Sequence, residues 1–309
     1  MIASLQDSLA RTLDGGAIVI TGASGFLGGH LLRAMDQVAG VVAVTGRNAV
    51  AASKARVCSV DLTDRVAVHD ALESIRPAVI LHAAAETRVD FCEASPAQAV
   101  AANVDATAAL VDWILLRSPR TRFVYVSTDQ VYDGKGPHEE AHVHPVNVYG
   151  ISKLAAEQVA AACAHHLVVR TNFVGWSPQG RGLAEWLVRT LEARQAVTLV
   201  EDVMFNPLEA MMLSRLIIEL ICSGAHGTLN LGASGQAWSK ARFGFELARG
   251  LDLDLTLVSV ASVDTLRLPA RRPRDMSMAV GRCERLLGRT MPSMDEVMEQ
   301  LLRSRGSGQ

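Results

Sequence analysis

Near its amino terminus the chain reads Ala17-Ile18-Val19-Ile20-Thr21-Gly22-Ala23-Ser24-Gly25-Phe26-Leu27-Gly28. The first five residues form a short β-branched run that is typical of a buried strand, and a helical pattern begins directly after the glycine-rich turn. The backbone amides of such a turn, together with the helix N-terminus, can face a pyrophosphate without intervening side chains. An ordinary strand-to-helix turn is the alternative. The position within a βαβ pattern favours a dinucleotide site formed by Gly22, Ser24, Gly25, Phe26, Leu27 and Gly28.

The same alternation of strand and helix continues along the chain. Apolar runs predict strands at 41–44, 56–60, 79–82, 123–126 and 167–169, and helical patterns lie near 26–37, 66–75, 96–116 and 148–164. Beyond residue 172 we expect helices at 183–194 and 211–222 and strands at 197–200 and 228–231. This order predicts a Rossmann-type doubly wound parallel sheet with a smaller C-terminal α/β lobe. We expect a nucleotide-binding domain over 1–173, to which some later segments return, and a substrate-binding lobe over 174–309.

The composition is that of an ordinary globular protein, with 309 residues, 49% of them hydrophobic, and 30 Lys and Arg against 32 Asp and Glu. A net charge of -2 offers no basic surface, so we expect no nucleic-acid partner. Polar residues interrupt every apolar run before the ~18 residues that a membrane span needs, which predicts no transmembrane helix. The stretch from Met1 to Gly16 lacks the basic segment and apolar core of a signal peptide and predicts a short helix.

Cysteine and histidine patterns do not indicate a metal site. The five cysteines are scattered and form no Cys-x-x-Cys pair, which predicts neither a disulfide framework nor a zinc site and favours the cytoplasm. Three histidines and two glutamates cluster within 138–144, but this loop is bounded by Gly and Pro rather than built on a helix face. We interpret it as a substrate-facing or solvated loop, with no metal.

The residues that follow the second strand bear on cofactor choice. About 20 residues after the glycine turn, an NAD site usually places a carboxylate on the adenosine ribose. Here the chain reads Thr45-Gly46-Arg47-Asn48. Arg47 suits a 2′-phosphate, so we predict NADP(H) as the cofactor and give NAD(H) second place; a solvated surface arginine is the alternative.

The ends of the next two predicted strands offer further cofactor contacts. Asp61 and Leu62 follow the third strand, where the carboxylate either accepts a hydrogen bond from an adenine amino group or caps the next helix. The fourth strand ends in His82, which we interpret as a packed histidine. The residues after it are small enough to let a cofactor pass over the sheet edge, and they are Ala83, Ala84 and Ala85.

A pair of reactive side chains follows the fifth strand. This strand ends in Ser127-Thr128-Asp129, and Tyr149 and Lys153 share one face of the next predicted helix at i and i+4. A lysine cation beside a phenol lowers the pKa of the tyrosine from about 10 towards neutral pH, which makes the phenol a competent proton donor or acceptor. A chance Tyr-x-x-x-Lys on an amphipathic helix is the alternative.

In order and at family spacing, these motifs resemble the extended short-chain dehydrogenase/reductase family. The resemblance rests on the three glycines, Asp61, Asn103, Ser127-Thr128 and Tyr149-x-x-x-Lys153. Within that family the chain is most similar to sugar-nucleotide reductases of the dTDP-4-dehydrorhamnose reductase type, through stretches 88–93, 127–134 and 272–278.

The resemblance implies a role for each of the matching residues. Tyr149 would be the acid, Lys153 would hold the nicotinamide ribose and tune Tyr149, and Thr128 would bind the substrate oxygen. Asn103 would support the cofactor side of the site from the long helix. NADPH would then give a hydride to a ketone carbon while Tyr149 protonates the developing alkoxide.

The substrate itself is indicated by fewer residues. A basic loop between prolines could grip a nucleotide diphosphate by forked hydrogen bonds, and a solvated basic loop is the alternative. We therefore expect the substrate-binding residues to be Thr128, Asp129, Arg271, Arg272 and Arg274. The stretch 202–208 departs from the polar sequence usual in the family, which leaves the particular sugar open.

The implied function is a cytoplasmic, NADPH-dependent reduction of a 4-keto-6-deoxy sugar nucleotide for deoxysugar or polysaccharide synthesis, by a chain that could form a homodimer. A sugar-nucleotide epimerase is one alternative, which Arg47 disfavours. A 4,6-dehydratase would carry Thr-Asp-Glu where this chain has Gln130 in the third position. A non-catalytic NADP-binding regulatory subunit is the remaining alternative, and the presence of Thr128, Tyr149 and Lys153 together argues for catalysis.

Overall fold

The computed structural model describes residues 2–46, 54–176, 180 and 182–305 of the chain. The strands are β1 (Ala17–Thr21), β2 (Val41–Thr45), β3 (Arg56–Ser59), β4 (Pro77–His82), β5 (Arg122–Val126), β6 (His166–Thr171), β7 (Phe173–Val174), β8 (Val197–Val200), β9 (Met204–Phe205), β10 (Leu208–Glu209), β11 (Gly227–Leu231), β12 (Trp238–Ser239) and β13 (Val258–Ala261). The helices are α1 (Ile2–Leu13), α2 (Phe26–Ala34), α3 (Arg65–Ile75), α4 (Val89–Ala94), α5 (Pro96–Val100), α6 (Ala106–Arg117), α7 (Val148–Ala160), α8 (Leu183–Glu192), α9 (Ala210–Cys222), α10 (Lys240–Gly250), α11 (Gly281–Leu287) and α12 (Met294–Ser304).

A seven-stranded sheet with the order β11-β6-β5-β4-β1-β2-β3 forms the centre of the fold. Neighbouring strands from β3 to β6 in this order pair in parallel. The predicted doubly wound parallel sheet is therefore confirmed. The strand order reverses between β1 and β4, where Thr21 aligns with His82, and ligands of such sheets bind at the carboxyl ends of the strands around this point.

The core explains why these residues form strands. All five residues of β2 and four of the five in β1 are buried, as expected for a parallel sheet covered on both faces. On one face, β-branched side chains of the sheet pack against Trp113 and Ile114 of α6 and Ala156 of α7. The predicted helices near 26–37 and 148–164 are shorter in the structure, because each ends in a turn, at Met35 and after Ala160.

The predicted helix near 96–116 is a continuous helical stretch from Pro96 to Arg117 with a π turn, Ala101–Asp105, between α5 and α6. In this turn the amide of Ala106 donates to the carbonyl oxygen of Ala101, five residues earlier. By length and composition alone the stretch of 22 residues could cross a membrane, which differs from the sequence expectation because its mean hydropathy is high despite interrupting polar residues. Half of it is buried within the protein, and α6 packs in the core beside α3 and α7, as a core helix of a globular protein does.

The chain divides into two compact units. The first comprises Met1–Thr128, Val148–Arg170 and Ser214–Leu229, and the second comprises Asp129–Asn147, Thr171–Leu213 and Asn230–Gln309. The second unit contains the strand pairs β10–β7, β12–β9 and β13–β8 and the helices α8, α10, α11 and α12. The domain division at residue 173, with later segments returning to the first part, stays a proposal.

Candidate active site

The glycine turn after β1 is packed too tightly to carry side chains. Gly22 has a φ of +68°, which favours glycine, and a Cβ there would lie 2.6 Å from the amide nitrogen of Ala84. A Cβ on Gly28 would collide with the carbonyl oxygen of Gly22. Because Gly25 is the N-cap of α2, the turn leads directly into a helix N-terminus. Only backbone lines this approach, which fits the phosphates of a dinucleotide.

A cavity of about 400–500 Å³ lies along the carboxyl ends of β1 to β4, with a volume near 450 Å³. Such a volume lies within the range of ligand and cofactor sites. Five predicted cofactor residues line it, namely Gly22, Asp61, Leu62, Ala84 and Ala85. Thr45, Ser59 and Glu86 add polar groups to the same wall. The residues present therefore fit an adenine dinucleotide.

Asp61 and the start of α3 separate two functions that the sequence leaves open. Asp64, not Asp61, is the N-cap of α3, and its carboxylate accepts hydrogen bonds from the amides of Val66 and Ala67. Asp61 instead accepts from the amide and hydroxyl of Thr63, at 3.0 and 2.7 Å. Asp61 is thereby held at the wall of the cavity. Arg47 lies outside the described residues, so its role stays a prediction from the sequence.

Lys153 is buried at the end of β5. It is 2% exposed, its Nζ donates to the carbonyl oxygen of Val126 at 2.8 Å, and it lies 4.1 Å from the ring centroid of Tyr125. Burial lowers the pKa of Lys153 from 10.5 to about 7, and the negative charge of Glu157 opposes that shift. The protonation of this ammonium therefore changes near neutral pH.

Tyr149 lies one helical turn before Lys153 and is 7% exposed. It packs with Cys92 and Ala99, and Glu93 accepts a hydrogen bond from the amide of Val148 at the start of α7. A carboxylate at a helix N-terminus is stabilised by the helix dipole. Thr128, 5% exposed, follows the end of β5. The three proposed catalytic residues thus all belong to the first unit and lie near the carboxyl ends of its parallel strands or on the helix that follows.

A buried ion pair holds α7 to the sheet on the same helix face. Arg170 of β6 and Glu157 of α7 are 5% and 2% exposed in their side chains and pair at 2.6 Å. Ser127, next to Thr128, donates to Glu157 at 2.5 Å. Tyr149, Lys153 and Glu157 follow the i, i+4, i+8 spacing of one helix face. This spacing is a sequence signal by which Glu157 could have been identified, and the sequence predictions missed it.

Asn103 lies in the π turn and is 1% exposed. Its Oδ1 accepts from the amide of Glu86 at 2.8 Å, and its Nδ2 donates to the Glu86 carbonyl oxygen at 3.1 Å and to Ser152 Oγ at 2.9 Å. Ser152 in turn donates to the carbonyl oxygen of Tyr149 at 2.8 Å. The side chain of Asn103 therefore joins the loop after β4 to the helix of Tyr149. Sequence reasoning did not identify Ser152 or Glu86 as partners of this group.

The proposed substrate residues of the second unit occupy a basic surface. Arg271, Arg272 and Arg274 line one cavity of about 400 Å³. Arg271 pairs with Asp133 at 3.1 Å, Arg274 pairs with Asp202 and Asp264, and Arg272 donates to the carbonyl oxygen of Ala270 at 2.9 Å. Asp129 is 1% exposed and accepts from Asn172 Nδ2 at 2.6 Å. The structure thus brings the three arginines together and gives two of them carboxylate partners.

The histidine-rich loop is partly buried. His138 is 7% exposed and stacks on Tyr132 with ring centroids 5.0 Å apart. Its Nε2 lies 2.9 Å from the carbonyl oxygen of Asp275. Within the described ranges, no cluster of three or more His, Cys, Asp or Glu has an arrangement that would hold a metal ion. His138 is therefore a packing residue rather than a solvated one.

Comparisons with known proteins extend over the whole of this architecture. Residues 16–305 match a family model described as the RmlD substrate binding domain. The chain is 29% identical over 290 residues to the Haloferax volcanii protein named "Probable low-salt glycan biosynthesis reductase Agl14", covering 91% of this chain and 96% of that protein. It is 30% identical over 239 residues to the dTDP-4-keto-6-deoxy-D-glucose reductase of Streptomyces niveus, covering 74% and 77%. The crystal structure of the dTDP-4-dehydrorhamnose reductase of Bacillus anthracis in complex with NADP superposes with a TM-score of 0.80 at 25% identity, covering 94% and 99%.

Proposed function

Because the chain belongs to the RmlD substrate binding domain family, we propose that it catalyses the NADPH-dependent reduction of a 4-keto-6-deoxy sugar nucleotide to the deoxysugar nucleotide. The observation that carries the proposal is the burial of Tyr149 and Lys153 on one face of α7, at the carboxyl edge of a sheet whose glycine turn fits a dinucleotide.

The bound NADPH supplies a hydride to the ketone carbon. Tyr149 donates its phenolic proton to the oxygen of the substrate, and Thr128 donates a hydrogen bond to the same oxygen. In its protonated form Lys153 stabilises the phenolate that remains on Tyr149, and it also binds the nicotinamide ribose. The low exposure of these side chains excludes water, which strengthens each of these electrostatic interactions.

The cofactor is held by the first unit in this proposal. Gly22, Ser24, Gly25 and the start of α2 accept the pyrophosphate with backbone groups, Asp61 and Leu62 contact the adenine, and Arg47 binds the 2′-phosphate. The substrate is a nucleotide sugar whose diphosphate binds the arginines of the second unit. We also propose a cytoplasmic enzyme, consistent with five free cysteines, that forms a homodimer and binds neither nucleic acid nor membrane.

The direct test is turnover of dTDP-4-keto-6-deoxyglucose by the purified protein, with NADPH oxidation and the sugar product measured together. Stoichiometric NADPH oxidation and a 4-hydroxy sugar product are expected. The variant Tyr149→Phe should lose about 10²–10⁴-fold in kcat while binding NADPH normally, because only the transferable proton is removed. Tyr132→Phe is the matched control, since it removes a buried phenol bonded to Asn230 and should keep wild-type kcat.

Two outcomes would contradict the proposal. Sugar isomerisation without net NADPH oxidation would indicate an epimerase. Tight NADP(H) binding without any turnover of 4-keto sugar nucleotides would favour a regulatory subunit.

Cofactor preference is tested by Arg47→Ala. If the guanidinium binds the 2′-phosphate, the dissociation constant of NADPH should rise by about tenfold or more while that of NADH stays within about twofold, since one charge-assisted contact is worth about 1.5–3 kcal/mol. Fluorescence titration of both cofactors measures this. Equal changes for NADPH and NADH would identify Arg47 as a surface residue.

A further inference from the structure

His82, at the end of β4, is a buried histidine to which the proposed reaction assigns no role. It is 0% exposed, and both of its ring nitrogens have partners: Nδ1 lies 2.6 Å from Thr21 Oγ1 and Nε2 lies 3.1 Å from Thr107 Oγ1. Burial, and secondarily the charge of Lys153, lowers the pKa of His82 to about 3. The ring is therefore neutral at any pH at which the protein works, with one donor and one acceptor nitrogen.

The neighbouring hydrogen bonds decide which nitrogen carries the proton. Thr107 donates its only hydroxyl proton to the carbonyl oxygen of Asn103 at 2.6 Å, so it accepts from His82 Nε2. Nδ1 is then the acceptor and takes the hydroxyl proton of Thr21. Thr21 Oγ1 in turn accepts from the amide of Ala84 at 3.3 Å. Every bond of this row has a defined direction.

The row continues into the catalytic helix. Asn103, whose carbonyl oxygen accepts from Thr107, donates through its side chain to Ser152, and Ser152 donates to the carbonyl oxygen of Tyr149. An unbroken series of hydrogen bonds therefore links Ala84, at the cofactor cavity, with the helical turn that carries Tyr149. All of its members belong to the first unit.

We propose that His82 is a positioning residue for the reduction: its ring fixes the π turn through Thr107 and Asn103, and thereby holds Tyr149 in place for proton donation. The inference rests on the proposed function and adds a residue to it. His82 touches neither substrate nor cofactor in this scheme and acts only through its neighbours.

The π turn gives a physical reason for such a support. A π segment has poorer hydrogen-bond geometry than an α-helix and persists where surrounding contacts hold it. Phenylalanine could replace the packing of His82, whose ring lies 5.6 Å from Tyr125 and 6.1 Å from Phe123 between centroids. It would leave the hydroxyls of Thr21 and Thr107 without their partner, and buried polar groups without partners are costly. Packing alone therefore does not require histidine here.

The test compares His82→Phe, His82→Gln and Thr107→Val in the full-length protein with bound NADPH. Because one lost buried hydrogen bond corresponds to about tenfold, His82→Phe and Thr107→Val should each lower kcat about tenfold, while KM for the sugar nucleotide and the NADPH dissociation constant change less than about threefold. Glutamine keeps one donor and one acceptor, so His82→Gln should recover most of kcat. The double variant His82→Phe/Thr107→Val should be no slower than either single variant, since both remove the same bond.

His69→Phe is the matched control, because the His69 ring is half-buried and bonds the carbonyl oxygen of Ala109 on α6 at 3.2 Å, outside the row. It should keep wild-type kcat. Wild-type turnover combined with full kcat in His82→Phe, an equal loss in His82→Gln or in His69→Phe, or independent losses in the double variant would overturn the role of His82. Absence of turnover in the wild-type protein would instead overturn the proposed function.

Discussion

Two sets of cationic side chains are held in opposite ways in this protein. Lys153 is 2% exposed and bonds a backbone carbonyl oxygen, whereas the side chains of Arg271 and Arg274 are 67% and 37% exposed and pair with carboxylates. Burial shifts the pKa of Lys153, since removing an ammonium from water disfavours its charge. The arginines stay in contact with solvent, where ion pairs contribute about 0–1 kcal/mol. The comparison indicates that the lysine is placed for chemistry and the arginines for surface contacts.

The largest expected effect concerns the pH dependence of stability. The unfolded chain holds the Lys153 proton up to a pKa near 10.5, whereas the folded protein releases it near 7, so unfolding takes up a proton between these values. The free energy of unfolding should therefore rise with pH across this window, by up to about 1.4 kcal/mol per pH unit. Below about pH 7 the destabilising effect of burying the charge is fully present.

Urea unfolding of the wild type and of Lys153→Met between pH 6.5 and 9.5 (about three units, within the window set by) measures this contribution. Other groups titrate in both proteins, so the difference between the two curves isolates Lys153. The variant should be the more stable protein at the acid end, and the difference should shrink as the pH rises. A difference that does not change with pH would show that Lys153 is not desolvated, and the contrast with the arginines would be lost.

A smaller effect separates the arginines from one another. Arg272→Ala should raise KM for the sugar nucleotide about tenfold with little change in kcat, because it removes a charge-assisted contact to the diphosphate. Arg274→Ala should change KM less than about twofold and lower stability by at most about 1 kcal/mol, since its guanidinium pairs with Asp202 and Asp264 at the surface. Steady-state kinetics and thermal unfolding of both variants measure these changes. Equal KM values would mean that the ion pairs of Arg274 do not keep it from the substrate.

Much of the fold could be predicted because its strands are apolar runs at regular intervals. All strands of the central sheet were predicted, and the resemblance to sugar-nucleotide reductases is confirmed by the family match over residues 16–305. The two-residue strands β7, β9, β10 and β12 were not predicted, because two residues carry no periodicity. Helix α4 was missed for a similar reason, since six residues are less than two turns.

The candidate site was predictable to the extent that its residues follow local patterns. Tyr149 and Lys153 are recognisable by their spacing on one helix. The partners of Asn103, His82 and Glu157 are not, since their hydrogen bonds join residues 17, 25 and 13 positions apart in the chain. Only the folded sheet brings these groups together. The helix cap at Asp64 rather than Asp61 likewise depends on a boundary that sequence patterns locate only to within a few residues.

The π turn at Ala101–Asp105 sets the rotational phase of everything that follows it in the helix. An α-helix turns by about 100° per residue, and the turn accommodates its extra length by a bond that spans five residues. Deleting one residue here would restore a regular helix and rotate α6 relative to α5 by about 100°. Either Trp113 and Ile114 would leave the core, or Asn103 would leave the loop after β4. The length of this segment is therefore fixed by two surfaces at once, and substitutions are tolerated there more readily than insertions or deletions.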